Sequence, residues 1–243
     1  MSGESPVGGR YLIVNADDFG QSAGVNAGVI EAFEHGVVTS ASLMVRWPAA
    51  SSAAEYARMH PDFSVGLHFD VGEFWFREGE WHARYRVVAG DDGDAMRAEA
   101  EQQLATFRRL TGTDPTHLDS HQHVHRHEPA ASALGDIADR ISVPLRDACP
   151  RVTYRGDFYG QTTHGEPNHG AITAEAFVEV LQTLRVGYTE LGCHPAHADD
   201  LETTYSAERL IELRTLCDPV LSTALRQHGV ELRSFRDVAA SNP

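Results

Sequence analysis

Short apolar runs alternate with stretches of helical periodicity along this chain. Residues Tyr11 to Ala16 (Tyr-Leu-Ile-Val-Asn-Ala) are mostly apolar, as suits a strand buried within a parallel sheet. Between Gly24 and His35 the apolar positions Val25, Val29, Ala32 and Phe33 share one helical face. Ser22 stands near the N-cap of that helix and Gly36 at its stop. The alternation then repeats. Strands are predicted over Val38 to Val45, Ser64 to Phe69, Thr116 to His121, Val143 to Asp147, Tyr188 to Cys193 and Val230 to Phe235. Helices are predicted over Ala49 to Met59, Asp94 to Leu110, Pro129 to Arg140, Ala174 to Arg185 and Ala207 to Gln227. The last of these carries a core-facing stripe of Leu210, Leu213, Cys217, Val220 and Leu225.

About seven strand–helix units in series imply an α/β fold, a parallel sheet with right-handed crossovers. A closed or slightly irregular barrel fits better than an open sheet. The expected architecture is therefore a single-domain βα barrel with about seven parallel strands, TIM-like but irregular, over residues 1–243. Residues 1–10 read as a flexible N-terminus. Two long connections, about 71–93 and 148–170, are rich in Gly, aromatic and charged residues and read as functional lids or disordered inserts.

Composition narrows the partners. With 35 acidic against 20 basic residues the formal net charge is −15, which argues against nucleic acid or an anionic membrane surface. Cys149, Cys193 and Cys217 are odd in number and widely spaced, so no disulfide framework is expected. The first ten residues lack the apolar core of a signal peptide, and no apolar stretch approaches a membrane span. The expected setting is cytoplasmic, and a homodimer is the default assembly.

The chemistry lies where such folds put it, at the carboxyl ends of the strands. The first strand ends in Asn15-Ala16-Asp17-Asp18-Phe19-Gly20 and the third in Gly66-Leu67-His68. The fourth ends in Asp119-Ser120-His121-Gln122-His123-Val124-His125, and another in Cys193-His194-Pro195. An acidic pair after a strand is often a solvated turn, and a lone histidine is more often a packed one. But five of the 14 histidines fall between His117 and His127, a density that packing does not explain, because each buried imidazole needs partners for two nitrogens. Imidazole with carboxylate suits zinc or another first-row metal, with magnesium or manganese also compatible. Two consecutive aspartates can divide the work of such a site, one facing the metal and one the water.

These four segments, in this order, resemble the YdjC-type carbohydrate deacetylases, a group that includes chitooligosaccharide deacetylases and a hopanoid-biosynthesis deacetylase. The likeness runs from about Tyr11 to Phe235. It implies removal of the acetyl group from an N-acetylated amino sugar or short oligosaccharide, with one divalent ion, zinc or magnesium first and manganese or cobalt next. Matching positions make Asp18, His68 and His121 the metal ligands, Asp17 the general base and His194 the general acid. Asp119 falls where it can hold an imidazole in one tautomer, and His123 and His125 lie near the site. Ala196 stands where the family usually has Gly. The loop with His164 and His169 matches no motif.

Phe74, Trp75, Phe76, Trp81 and Tyr85 cluster in one loop. They suit sugar stacking, with Trp75 and Trp81 the candidates, and equally suit packing or a subunit contact. Two rival readings remain: a metal-dependent phosphoesterase and a non-catalytic metal- or sugar-binding protein.

Overall fold

The computed structural model describes residues 8–197 and 200–240. The N-terminal segment expected to be flexible lies mostly outside the described residues. Seven parallel strands form one curled sheet in the order β6-β3-β2-β1-β8-β7, with β9 paired to the first half of β1. They are β1 (Arg10–Phe19), β2 (Ser40–Leu43), β3 (Ser64–Phe69), β6 (Leu118–Ser120), β7 (Val152–Arg155), β8 (Gly187–Cys193) and β9 (Val230–Leu232). β4 (Gly72–Arg77) and β5 (Glu80–Arg86) form a separate antiparallel hairpin. The helices are α1 (Ala23–His35), α2 (Ala50–Met59), α3 (Gly93–Thr111), α4 (Ala130–Ile141), α5 (Ala174–Thr183), α6 (Ser206–Leu216), α7 (Pro219–His228) and α8 (Phe235–Ala240). The expected irregular βα barrel is thus present, with β6 and β7 ending the path of strands.

The helix starts follow local chemistry. Ser22 accepts the Val25 N–H at 3.1 Å to open α1, and Asp92 accepts the Ala95 N–H at 2.9 Å to open α3. Gly112 closes α3 in the left-handed conformation.

The strand period of two sorts the core. On β1, Leu12, Val14 and Ala16 pack outward into the main apolar cluster beneath the helices. Ile13 instead meets Val152, Phe235 and Val238 in a small plug at the other face. Above that plug the inner face turns polar. Asn15 Nδ2 donates to Ser42 at 2.7 Å, Ser42 to Asp119 at 2.6 Å, and His117 Nε2 lies 3.1 Å from Ser42 Oγ. Gly66 makes room for this layer, since a Cβ there would stand 2.5 Å from the His117 ring. The interior is a hydrogen-bonded polar column rather than the layered aliphatic filling of an ordinary barrel.

Five expectations need correction. The strand predicted over Val143 to Asp147 does not form; only Leu145 bridges to Leu118. Pro144 has no N–H to offer a ladder, and Asp147 turns away with φ 62°. The loop 148–170 contains β7, which pairs with β8. The loop 71–93 is largely the β4–β5 hairpin, turned at Glu78 and Gly79 with φ of 54° and 84°. The long helix over 207–227 is two helices. Asp218 caps the second by accepting the Val220 N–H at 2.9 Å, and Pro219 fits its first turn. Val220, placed on the core stripe, is exposed. No helix among the described residues is long and apolar enough to cross a membrane.

Candidate active site

β1 delivers two adjacent carboxylates to one place, which a regular strand cannot do because successive side chains alternate. The pairing with β2 shifts register between Ala16 and Phe19, and Asp18 takes φ 66°. This bulge turns Asp18 inward beside Asp17. Asp18 Oδ1 lies 3.3 Å from His68 Nε2 at the end of β3 and 3.1 Å from His121 Nδ1 after β6. Asp18 Oδ2 accepts from Arg209 of α6 at 2.5 Å.

His68 is oriented from behind. Its Nδ1 meets Asp119 Oδ1 at 2.8 Å, which leaves Nε2 facing Asp18. Burial alone would raise the Asp18 carboxyl and lower both imidazoles. Arg209 and then His121 instead hold Asp18 well below the usual carboxylate range, while Asp119 raises His68 and Asp18 raises His121. These shifts express the mutual attraction of the Asp18 carboxylate, the two imidazoles and their charged neighbours. His121 Nε2 is buried without a hydrogen-bond partner among the described residues. A second cluster, Asp17, His68 and Asp119, also brings ligand atoms together, but Arg146 already neutralises its carboxylates. The first cluster has two imidazoles and keeps Asp18 Oδ1 facing them while Arg209 takes Oδ2, so it is the better fit to a divalent cation.

Asp17 sits beside that cluster and is held differently. Arg146 binds it with two 2.7 Å bonds, and Asn15 donates a third at 2.8 Å. Burial opposes the Asp17 charge, yet Arg146 keeps its pKa lowered. Arg146 also meets Asp119 at 2.7 Å and Glu190 of β8 at 2.6 Å, and its guanidinium lies over the Tyr154 ring of β7 at 4.7 Å. Burial pushes Glu190 up to about 7 against the pull of Arg146.

His194 follows β8, with Nε2 4.0 Å from Asp17 Oδ2. Its backbone N–H and the Tyr205 hydroxyl both donate to Glu212 of α6, whose Oε1 lies 3.9 Å from His194 Nδ1. Ala196 does not take a positive φ, so it suits its turn without glycine. Close approach is met on the other side, where a Cβ on Gly28 of α1 would come within 2.4 Å of Ala196.

These groups open on a cavity of about 930 Å³. Asp17, Asp18, His68, His121 and His194 line it, as do Phe74, Trp75, Phe76 and Trp81 of the hairpin. Tyr159 and Tyr205 stack beside His194 with centroids 4.5 Å apart. His123 lines the cavity against Tyr154, its pKa brought down to about 3 by burial and then Arg146. His125 turns away and bonds Ser120 Oγ at 2.6 Å. Asp119 lies behind His68 rather than in the cavity. His164 touches Phe76 and His169 lies 3.3 Å from Glu208, both away from the carboxylate–imidazole cluster.

Sequence reasoning missed Arg146, Arg209, Glu190 and Glu212. For Arg146 a signal existed, since a lone arginine in a segment expected to be a buried strand needs carboxylate partners. The others lie in or near segments read only for core packing.

Known proteins resemble this chain over most of its length. Residues 11–227 match the model of the YdjC-like protein family. A carbohydrate deacetylase of Geobacillus stearothermophilus is 36% identical, over 94% of this chain and 98% of that one. A chitooligosaccharide deacetylase of Serratia marcescens is also 36% identical, over 94% and 99%. Among solved structures, a protein of Enterococcus faecalis V583 named for cellobiose-phosphate cleavage superposes with TM-score 0.78 at 24% identity, covering 95% of this chain and 99% of that one. A family 4 carbohydrate esterase from Streptomyces lividans, solved with acetate, gives TM-score 0.54 at 11% identity over 93% of each chain. These last two show the fold alone. By the extent of the match the chain belongs to the YdjC-like protein family.

Proposed function

We propose that this protein is a metal-dependent carbohydrate de-N-acetylase that hydrolyses the N-acetyl group of an amino sugar or short oligosaccharide. One observation carries the reading: Asp18 Oδ1 faces His68 Nε2 and His121 Nδ1, with the ionised Asp17 beside it and His194 4.0 Å from Asp17. The names of the curated relatives supply the substrate class.

Asp18, His68 and His121 would hold the ion, and two imidazoles with one carboxylate favour zinc or another first-row metal over magnesium. Bound there, the ion would supply Lewis acidity toward the acetyl carbonyl and toward water. Asp17 takes the proton of the attacking water; Arg146 and Asn15 keep it charged and fix its direction. His194 gives a proton to the departing sugar amine, and Glu212 holds the loop that carries it. The hairpin rings offer flat faces to the pyranose, and the cavity has room for more than one sugar unit. A phosphoesterase with two ions would need a second open ligand set. Among the described residues the second cluster is occupied by Arg146.

The test is acetate release from a panel of N-acetylated sugars with added zinc, magnesium, manganese or cobalt, with phosphate release from sugar phosphates run beside it. Acetate without phosphate is expected. Phosphate alone, or bound metal with neither product, would overturn the reading.

A further inference from the structure

Gln122 follows His121 and lines the cavity, yet the chemistry above leaves it unused. Its amide makes two hydrogen bonds to one residue of the hairpin. The Phe74 N–H donates to Oε1 at 2.9 Å, and Nε2 donates to the Phe74 carbonyl at 2.8 Å. A carboxamide presenting one acceptor and one donor imitates a neighbouring strand. It occupies the edge of β4 opposite β5, an edge that no other strand pairs among the described residues.

The backbone bends to allow this. Gln122 and His123 both take left-handed conformations, with φ of 50° and 54°. Two such residues in succession, neither of them glycine, persist only where the surroundings hold them. The bend sends three consecutive side chains to three targets: His121 to Asp18, Gln122 to the hairpin and His123 to Tyr154. Elsewhere the hairpin is tied at its base, where Asp70 accepts from Tyr85 at 2.7 Å, and its outer part meets His164 through Phe76. Gln122 grips the middle of β4, next to Trp75.

We propose that Gln122 is a positioning residue that clamps the aromatic hairpin over the Asp18–His68–His121 cluster and so sets how firmly sugar units beyond the reacting one are held. This rests on the deacetylase reading. The reacting unit is held at the cluster, whereas further units lie along the rings of β4 and β5. Freeing the hairpin therefore weakens long substrates more than short ones.

Gln122→Met keeps the length of the side chain and removes both bonds; Gln122→Glu keeps an acceptor and removes the donor. Two of the three tryptophans, Trp75 and Trp81, are on the hairpin, so acrylamide quenching of fluorescence reports its attachment without any substrate. Both variants should quench more readily than the parent. KM for an N-acetylated tetrasaccharide should rise roughly tenfold, the size expected for losing one or two net hydrogen bonds. KM for the monosaccharide and kcat should change less, and metal content should stay that of the parent. Unchanged quenching with unchanged length preference would overturn the clamp, as would loss of metal, which would place the role of Gln122 at His121 instead. If one variant does not fold, the other decides. If the parent releases no acetate, the deacetylase reading fails and quenching alone decides the clamp, raised in support and unchanged against.

Discussion

Asp17 and Asp18 are neighbours in sequence with opposite surroundings. Asp18 meets two imidazoles through Oδ1 and Arg209 through Oδ2, whereas both oxygens of Asp17 are taken by Arg146. Replacing Asp17 by Asn should therefore leave metal content intact and reduce turnover by about 100-fold or more, the usual scale for loss of a general base. His68→Ala and His121→Ala should lose the metal. Metal analysis of the three purified variants checks this, and equal metal loss in all three would contradict the division of roles. His194→Ala should keep metal and turn over more slowly; turnover equal to the parent would speak against proton donation by His194. Arg146 faces three buried carboxylates, so Arg146→Met should cost about 3–5 kcal/mol of stability, as removal of one partner of a buried ion pair does. Urea unfolding measures it, and a loss under about 1 kcal/mol would mean those carboxylates are relieved in another way. The strand-end residues Asp17, Asp18, His68, His121 and His194 were legible in the sequence because each closes an apolar run. The need of Arg146 for carboxylate partners was legible, but which carboxylates it meets was not, nor was the pairing of Arg209 with Asp18, because those partners are 129 and 191 residues distant and only the fold joins them.

The β4–β5 hairpin is the element that gives the cavity its aromatic wall. Packing and sugar binding are separable here because Trp81 is 59% exposed. Trp81→Ala should leave thermal stability almost unchanged, within about 0.5 kcal/mol, as surface substitutions do. It should nevertheless raise KM for oligosaccharides. A clear fall in thermal stability with KM unaffected would make the ring a packing or contact residue instead. The hairpin was hidden in the sequence because Glu78-Gly79 is a weaker turn signal than Asn-Gly or Asp-Gly, and the flanking aromatic residues read equally well as a loop. β7 was missed for a related reason: four residues between polar stretches carry little periodicity. The division of α6 from α7 was legible in principle, since Asp218-Pro219 is a cap followed by a first-turn proline.

At the scale of the whole molecule, the barrel trades an aliphatic interior for a polar column that supports the cavity from below. His117 is part of that column, and burial holds its pKa down to about 3 from an ordinary 6.5. The folded state keeps this ring neutral, while the unfolded chain takes up a proton below about 6.5. Its contribution to stability is full above pH 6.5 and is lost as pH falls from there toward 3. The urea midpoint of His117→Gln should therefore decline less than that of the parent between pH 7 and pH 5; parallel curves would contradict this. The α/β class and the barrel followed from alternating periodicity, whereas the polar interior did not, because inner and outer faces of a buried strand read alike in apolar runs. The central claim is that one ion at Asp18, His68 and His121 serves deacetylation. Its most direct test is a zinc titration of the metal-stripped protein with acetate release followed on an N-acetylated oligosaccharide. Release should rise from near zero and level off at about one zinc per chain, the stoichiometry of a single three-ligand catalytic site. Full release by the stripped protein, or a plateau only at two ions per chain, would contradict the account.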